Sequence, residues 1–316
     1  MPRTIGNVMP MRPEAAPANQ VPVYSMSAYN LGFRKPGQFH LSSFKESAQE
    51  SPNPRIPHSH DFYELIWIYS GTGEVHSDLR ACDIRPGTLF FASPGQVHYW
   101  KFHGSRDGEI IRFTHEFFMV NSENPGLFGR LPFLHAEAFD PVLHFDPAEM
   151  ERMNSLLCDL RTAAADNAPG RDDLVRAYLT IILTHTRRVW ARVHDTHTEA
   201  HAGTGDLLAC RFRLALEENF PQMLTVSEYA TLLRVSRSHL NEELRRQSGS
   251  SASKIIHERI LLEAKRLLVH SSLTISEIAY RLRFQDPSYF GRFFRKCTGQ
   301  TPGMYREAAH HDLLAS

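Results

Sequence analysis

The chain has 316 residues, 42% of them hydrophobic and 22% charged, with 35 Lys and Arg matched by 35 Asp and Glu. That length predicts two domains of an ordinary globular protein. No apolar run approaches the roughly 18 to 20 residues of a membrane span, so no membrane partner is expected. Four scattered cysteines (Cys82, Cys158, Cys210, Cys297) without a C-x-x-C pair exclude a disulfide framework or a structural zinc site and point to a reducing, cytoplasmic setting.

Residues 1–22, rich in Pro, Met and Ala, read as a flexible arm. Residues 23–145 read as β. Short apolar and aromatic runs such as Tyr63–Tyr69 and Thr88–Phe91 are bounded by Ser70-Gly71-Thr72-Gly73, Arg85-Pro86-Gly87 and Ser93-Pro94-Gly95, which predicts a barrel or jelly roll. Within it, "PHSHDFYE" (Pro57–Glu64) carries two histidines two apart and a glutamate four further on, donors able to converge on one cation. Strand alternation places His58, His60 and Glu64 on one face, and His98 with Trp100 on one face of a later strand.

From Pro147 the period becomes helical: Met150, Met153, Leu156, Leu157 and Leu160, then Leu174, Ala177, Tyr178, Ile181, Ile182 and His185, with a break at Ala168-Pro169-Gly170. This pair (146–193) either caps the barrel or forms a dimer seam. Residues 194–206, small and polar, read as a linker.

The last third is an internal repeat. Leu224-Thr225-Val226-Ser227-Glu228 returns as Leu273-Thr274-Ile275-Ser276-Glu277, and Leu240, Leu244 and Gly249 return as Phe290, Phe294 and Gly299. Each copy opens on a capping box, keeps a small alanine (Ala230, Ala279) where a second helix must cross, and ends on a C-cap glycine. Ser236 and Asp286 stand at the start of the second helices, with Pro287 at a first helical position. The result is two helix-turn-helix units, joined by one long helix over Ile255–Val269, that can address successive turns on one DNA face about 34 Å apart. Residues 207–308 carry 16 Lys and Arg against 10 Asp and Glu, a net of +6, whereas residues 1–206 carry 19 against 24, a net of −5. A basic last third fits a polyanion partner. Arg234 and Arg283 occupy the turns where such motifs often place glycine; if left-handed, each costs about 1 kcal/mol.

"RLRFQDPSYFGRFFRKCTGQTPGMYR" (Arg281–Arg306) resembles the signature of the AraC/XylS family of bacterial transcription regulators, with both units in register over about 100 residues. The resemblance implies an all-α domain (207–308, followed by a tail at 309–316) that binds double-stranded promoter DNA and, in most members, activates transcription with RNA polymerase as homodimers. Positions that look like base readers are Ser238, Asn241 and Glu242 in the first unit, and Pro287, Ser288, Gly291 and Arg292 in the second; Asn pairs with adenine and Arg with guanine. Arg237, His239, Arg245, Arg246, Arg295 and Lys296 look like phosphate contacts. Leu240, Leu244, Tyr289, Phe290 and Phe294 are expected in the helix core.

His58-x-His60-x3-Glu64-x6-Gly71 also resembles the first cupin signature, and Gly87 through Pro94-Gly95 to His98 resembles the second. The resemblance implies an α+β protein of two domains whose cupin-like barrel binds a small effector (a sugar, hydroxy acid or aromatic acid) at His58, His60, Glu64, His98 and Trp100. In metal-bearing cupins, His58, His60, Glu64 and His98 would be ligands to a divalent transition metal; no cofactor is required for sensing. The alternative is a metal-dependent cupin enzyme, a dioxygenase or isomerase, fused to a DNA-binding domain. The expectation carried forward is a regulator and not an enzyme.

Overall fold

A computed structural model describes residues 21–26, 38–50, 55–78, 80–119, 131–134, 140–194, 204–220, 222 and 225–315. Residues 1–20 of the expected arm (1–22) and residues 195–203 of the expected linker (194–206) lie outside the described residues. Among the described residues, no helix is long and apolar enough to cross a membrane.

The sheet-rich domain hangs on two long antiparallel strands, β4 (Tyr63–Ser77) and β7 (His98–Phe113). β2 (Phe39–Ser43) pairs with β7, β6 (Thr88–Ala92) with the first half of β4, β8 (Val142–His144) with β6, and β5 (Arg80–Ile84) with the second half of β4. A separate parallel pair joins β1 (Val23–Tyr24) to β3 (Ser59–His60). Ser70–Gly73 is not the turn that its composition suggested. β4 runs through it, with register shifts between Ile68 and Ser70 and between Ser70 and Thr72. Such irregularities bend a strand without ending it. The glycine at 73 is required by closeness: a Cβ there would stand 2.2 Å from the Lys101 carbonyl oxygen of β7.

Residues of β4 alternate between two cores. Ile66, Ile68 and Val75 face inward with Phe90, Trp100 and Ile110, whereas Leu65 and Trp67 face Phe91, Phe113 and two helices laid on the outer surface. Three short elements also sit in the region read as strand: α1 (Phe44–Glu50), α2 (His115–Met119) and a 3-10 turn at Pro132–Leu134.

The outer helices are α3 (Pro147–Ala165), capped by Asp146 with Pro147 in its first turn, and α4 (Arg171–Val193). Met153, Leu156, Leu157 and Leu160 of α3 are buried as expected. In α4 the apolar spacing located the helix but mostly not its buried face. Val175, Leu179, Ile182, Leu183, Val189 and Trp190 pack inward, while Leu174 is 47% and Ile181 44% exposed. The pair covers the sheet and still leaves an apolar stripe outside.

The C-terminal domain is all helix: α5 (Thr204–Asn219), α6 (Val226–Leu233), α7 (Arg237–Ser248), α8 (Ala252–His270), α9 (Ile275–Arg281), α10 (Pro287–Thr298) and α11 (Pro302–Ala315). Helix α5 begins inside the stretch read as linker, and α11 runs through what was read as a tail. Both capping boxes form: Thr225 with Glu228, and Thr274 with Glu277, each side chain bonded to the other's backbone N–H. Helices α7 and α10 are N-capped by Ser236 and Asp286 and end on left-handed Gly249 and Gly299. The N-terminal half of α8 (Ile255, Ile256, Ile260) belongs to the core of the first unit, and its C-terminal half (Ala264, Leu268) to that of the second. Phe220, Phe284 and Phe293 pack against both cores, so the two units are not independent beads.

Candidate functional site

Three histidines meet at the start of β4. β3 carries His60, the segment before it carries His58, and His98 opens β7; His58 and His98 form an antiparallel bridge with paired backbone hydrogen bonds. Their ring centroids lie 4.5 to 5.0 Å apart, and one nitrogen from each lies within 4.8 Å of the others. All three are buried. Glu64 faces them, with Oε2 3.4 Å from His98 Nε2 and 3.9 Å from His60 Nδ1. The expected convergence of His58, His60, Glu64 and His98 is therefore what the strands produce.

Trp100 stands further in. Phe90 lies 5.3 Å from the His98 ring and 4.9 Å from that of Trp100, which also stacks on Phe102 in the interior core. It is part of the same face as His98, but as packing behind the cluster.

The proton positions follow from the neighbours. His58 Nδ1 is 2.7 Å from the Ile56 carbonyl oxygen and His98 Nδ1 is 3.1 Å from that of Gln96. A carbonyl oxygen only accepts, so each Nδ1 carries the hydrogen and, in the neutral ring, each Nε2 is a bare acceptor. Burial drives the His58 pKa down to about 4 and holds His60 well below the ordinary imidazole value, so both rings are neutral near pH 7. Burial opposes ionisation of Glu64, yet its neighbours, with the charged Arg112 guanidinium among them, hold its carboxyl well below the usual carboxylate range. Arg112, in β7 directly across from Glu64, donates from Nε to Oε1 at 2.8 Å and from its other nitrogens to Ser42 and Ser47 Oγ.

Two contributors were not anticipated. Arg112 had a signal: a cation inside Ile110-Ile111-Arg112-Phe113 must find a buried carboxylate. Tyr24, whose ring lies 5.8 Å from that of His58 and 6.5 Å from that of His60, had none, since its place depends on the parallel β1–β3 pairing.

In the C-terminal domain Ser238, Glu242, Ser288 and Arg292 are exposed on α7 and α10, while Pro287 and Gly291 are half-buried. Arg237, His239, Arg245, Arg295 and Lys296 are exposed too, and Arg246 is exposed while gripping Glu243 at 2.9 Å. Asn241 sits differently. Its Nδ2 donates to the Arg237 carbonyl and its Oδ1 accepts from Ala252 N–H, both at 3.0 Å. Tyr289, expected in the core, is 58% exposed, with the Arg292 guanidinium 5.8 Å from its ring centroid.

Residues 229–308 match the model of a helix-turn-helix domain, and residues 46–170 match that of the AraC-like ligand binding domain. The chain thus joins an AraC-like ligand binding domain to an AraC-type helix-turn-helix domain. It is 23% identical to the HTH-type transcriptional activator RhaR of Escherichia coli (strain K12) over 252 residues, 79% of this chain and 86% of the relative. The Shigella flexneri RhaR shows the same identity and coverage. Among solved structures it is similar to the DNA-binding domain of AdpA in complex with a target DNA (28% identity, 33% of this chain, 94% of that one, TM-score 0.31). It is also similar to ToxT from Vibrio cholerae (12% identity, 86% of this chain, 98% of that one, TM-score 0.36). The protein is thus a DNA-binding transcriptional regulator, with its histidine cluster inside the ligand-binding domain and its basic helices in the helix-turn-helix domain.

Proposed function

We propose that this regulator is a cytoplasmic, homodimeric activator, with RNA polymerase as its partner, whose effector is a polyhydroxylated molecule such as a sugar, bound at His58, His60 and His98. The supporting observation is the pair of fixed tautomers. His58 and His98 commit their Nδ1 hydrogens to backbone carbonyls, which leaves the neutral His58 ring a bare Nε2 acceptor, and the Glu64 carboxylate stands 3.4 Å from His98 Nε2. A wall of acceptors favours a ligand rich in hydroxyl donors. A free carboxylic acid would bring a second anion toward Glu64, which is unfavourable in a buried site. Sensing requires no catalytic step, and none is assigned.

A second reading is supported by the same geometry. Neutral imidazoles oriented through Nδ1–H to carbonyls are the arrangement that metal-ligating histidines use. His58, His60 and His98 would hold a divalent transition metal, with Glu64 beside it, and the cation would supply the charge to bind a chelating hydroxy acid.

The exposed Leu174 and Ile181, in line with Tyr178 on α4, support the dimer. On the DNA side, Ser238, Glu242, Ser288 and Arg292 are assigned to bases and Arg237, Arg245, Arg295 and Lys296 to phosphates. One experiment separates the ligand readings: calorimetric titration of the full chain with sugars and with hydroxy acids, metal-stripped and zinc-loaded, alongside His58→Ala. Sugar binding by the stripped protein, lost in the variant, supports the first reading. Hydroxy-acid binding only with zinc replaces it by the second, and binding of neither class removes the cluster as the effector site.

A further inference from the structure

A buried ion pair joins the two domains. Arg266, near the end of α8, reaches the turn between β4 and β5, where its Nε donates to Asp78 Oδ1 at 2.6 Å and its Nη2 to Oδ2 at 3.0 Å. The side chains are only 5% and 10% exposed. Two parallel bonds from a guanidinium to both oxygens of one carboxylate fix direction as well as distance. Asp78 itself is held in the left-handed region at φ 51, unusual for a non-glycine residue.

What holds Asp78 there is the wall of the histidine cluster. Its N–H donates to the Val97 carbonyl at 2.6 Å, and its Oδ1 accepts from Val97 N–H at 3.2 Å. His98 is the next residue. Gly95 N–H donates to the His60 carbonyl at 2.7 Å, and Gln96 Nε2 donates to Ser77 Oγ at 2.8 Å while the Gln96 carbonyl orients His98. Asp78, residues 95–97 and the histidines therefore form one hydrogen-bonded unit. At the other end, α8 is shared by the cores of both helix-turn-helix units, so a displacement of Arg266 cannot be absorbed within one of them.

We propose that the Asp78–Arg266 pair is the latch that couples the wall of the histidine cleft to α8, and through it to both DNA-reading helices. A ligand that displaces His98 shifts Val97 and with it the carboxylate that Arg266 grips. By linkage, whatever changes the pair from the DNA side changes the cleft equally. The role as an effector relay rests on the ligand reading given above, but the coupling itself needs no ligand to be measured.

The test is amide hydrogen exchange by mass spectrometry on the full chain, comparing wild type with Arg266→Ala and Asp78→Asn. Arg266→Ala should speed exchange at Asp78, Val97 and His98 by tenfold or more, although the substitution lies in the other domain. Asp78→Asn should do the same for the last turns of α8. Acceleration confined to the domain that carries each substitution, or none, overturns the latch. Should Arg266→Ala not fold, Arg266→Lys keeps the charge but loses the fork, and a smaller acceleration at Val97 and His98, about threefold, is the expected result; no change there rejects the proposal. If the coupling holds while no sugar or metal binds the cleft, the ligand reading fails and the latch does not.

Discussion

Glu64 and Arg112 face each other across β4 and β7 with Oε1 and Nε 2.8 Å apart, and both side chains are buried. Removing one partner of such a pair strands the other charge. Arg112→Met should therefore destabilise the sheet-rich domain by about 3 to 5 kcal/mol, measured by urea unfolding. The double substitution with Glu64→Gln should recover much of that loss. A single variant as stable as wild type would mean that Glu64 is neutral in the fold.

Arg234 and Arg283, at φ 58 and φ 64, confirm the strained turns expected from their sequence positions. Glycine adopts this conformation without the Cβ penalty. Arg283→Gly should stabilise the protein by about 1 kcal/mol, seen as a rise in melting temperature with an unchanged circular dichroism spectrum. A fall would show that the arginine side chain supports the turn by more than its backbone costs.

Asn241 bonds at both ends inside its own unit, and its Oδ1 satisfies the N–H of the fully buried Ala252. Asn241→Ala should cost about 1 to 3 kcal/mol of stability through that orphaned donor, and Asn241→Asp should retain most of it. If Asn241→Ala instead keeps its stability and loses discrimination at one adenine, it reads DNA as its position in the motif suggested.

Arg292 lies exposed beside Tyr289 on α10, and Arg295 one turn further on. Arg292→Ala should relax specificity at one base pair by about 1 to 3 kcal/mol, whereas Arg295→Ala should weaken all sequences alike and lower the salt slope by about one. Binding measured across a randomised operator library distinguishes them. A uniform loss from both would move base reading off this helix.

The repeat makes the C-terminal domain legible in the sequence itself. Capping boxes, C-cap glycines and buried alanines are local devices, set by residues three or four apart. The histidine cluster was legible in part, because the spacing of His58, His60 and Glu64 is short, although a bend at Asp61–Phe62 splits them between β3 and β4 where one alternating strand was expected. What remained hidden depended on contacts distant in sequence. Tyr24 arrives through a parallel pairing and Arg266 meets a residue 188 positions away. The Ser70–Gly73 stretch misled because glycine marks turns and close strand crossings alike. The face of α4 misled because its exposed side is also apolar.

Helix α5 carries a lesson for building hybrid biosensors. Its Phe212 lies in the core of the first DNA-reading unit, and its Glu217 clasps Arg259 of α8 at 3.1 Å. A splice at residue 207 would cut this helix, so a portable DNA-reading cassette has to begin no later than Thr204. Leu214, on the same helix, packs against the sensor's core. A transplanted sensor would have to offer both an apolar seat for Leu214 and an acid where Asp78 stands, or the hybrid would bind its operator without hearing its inducer.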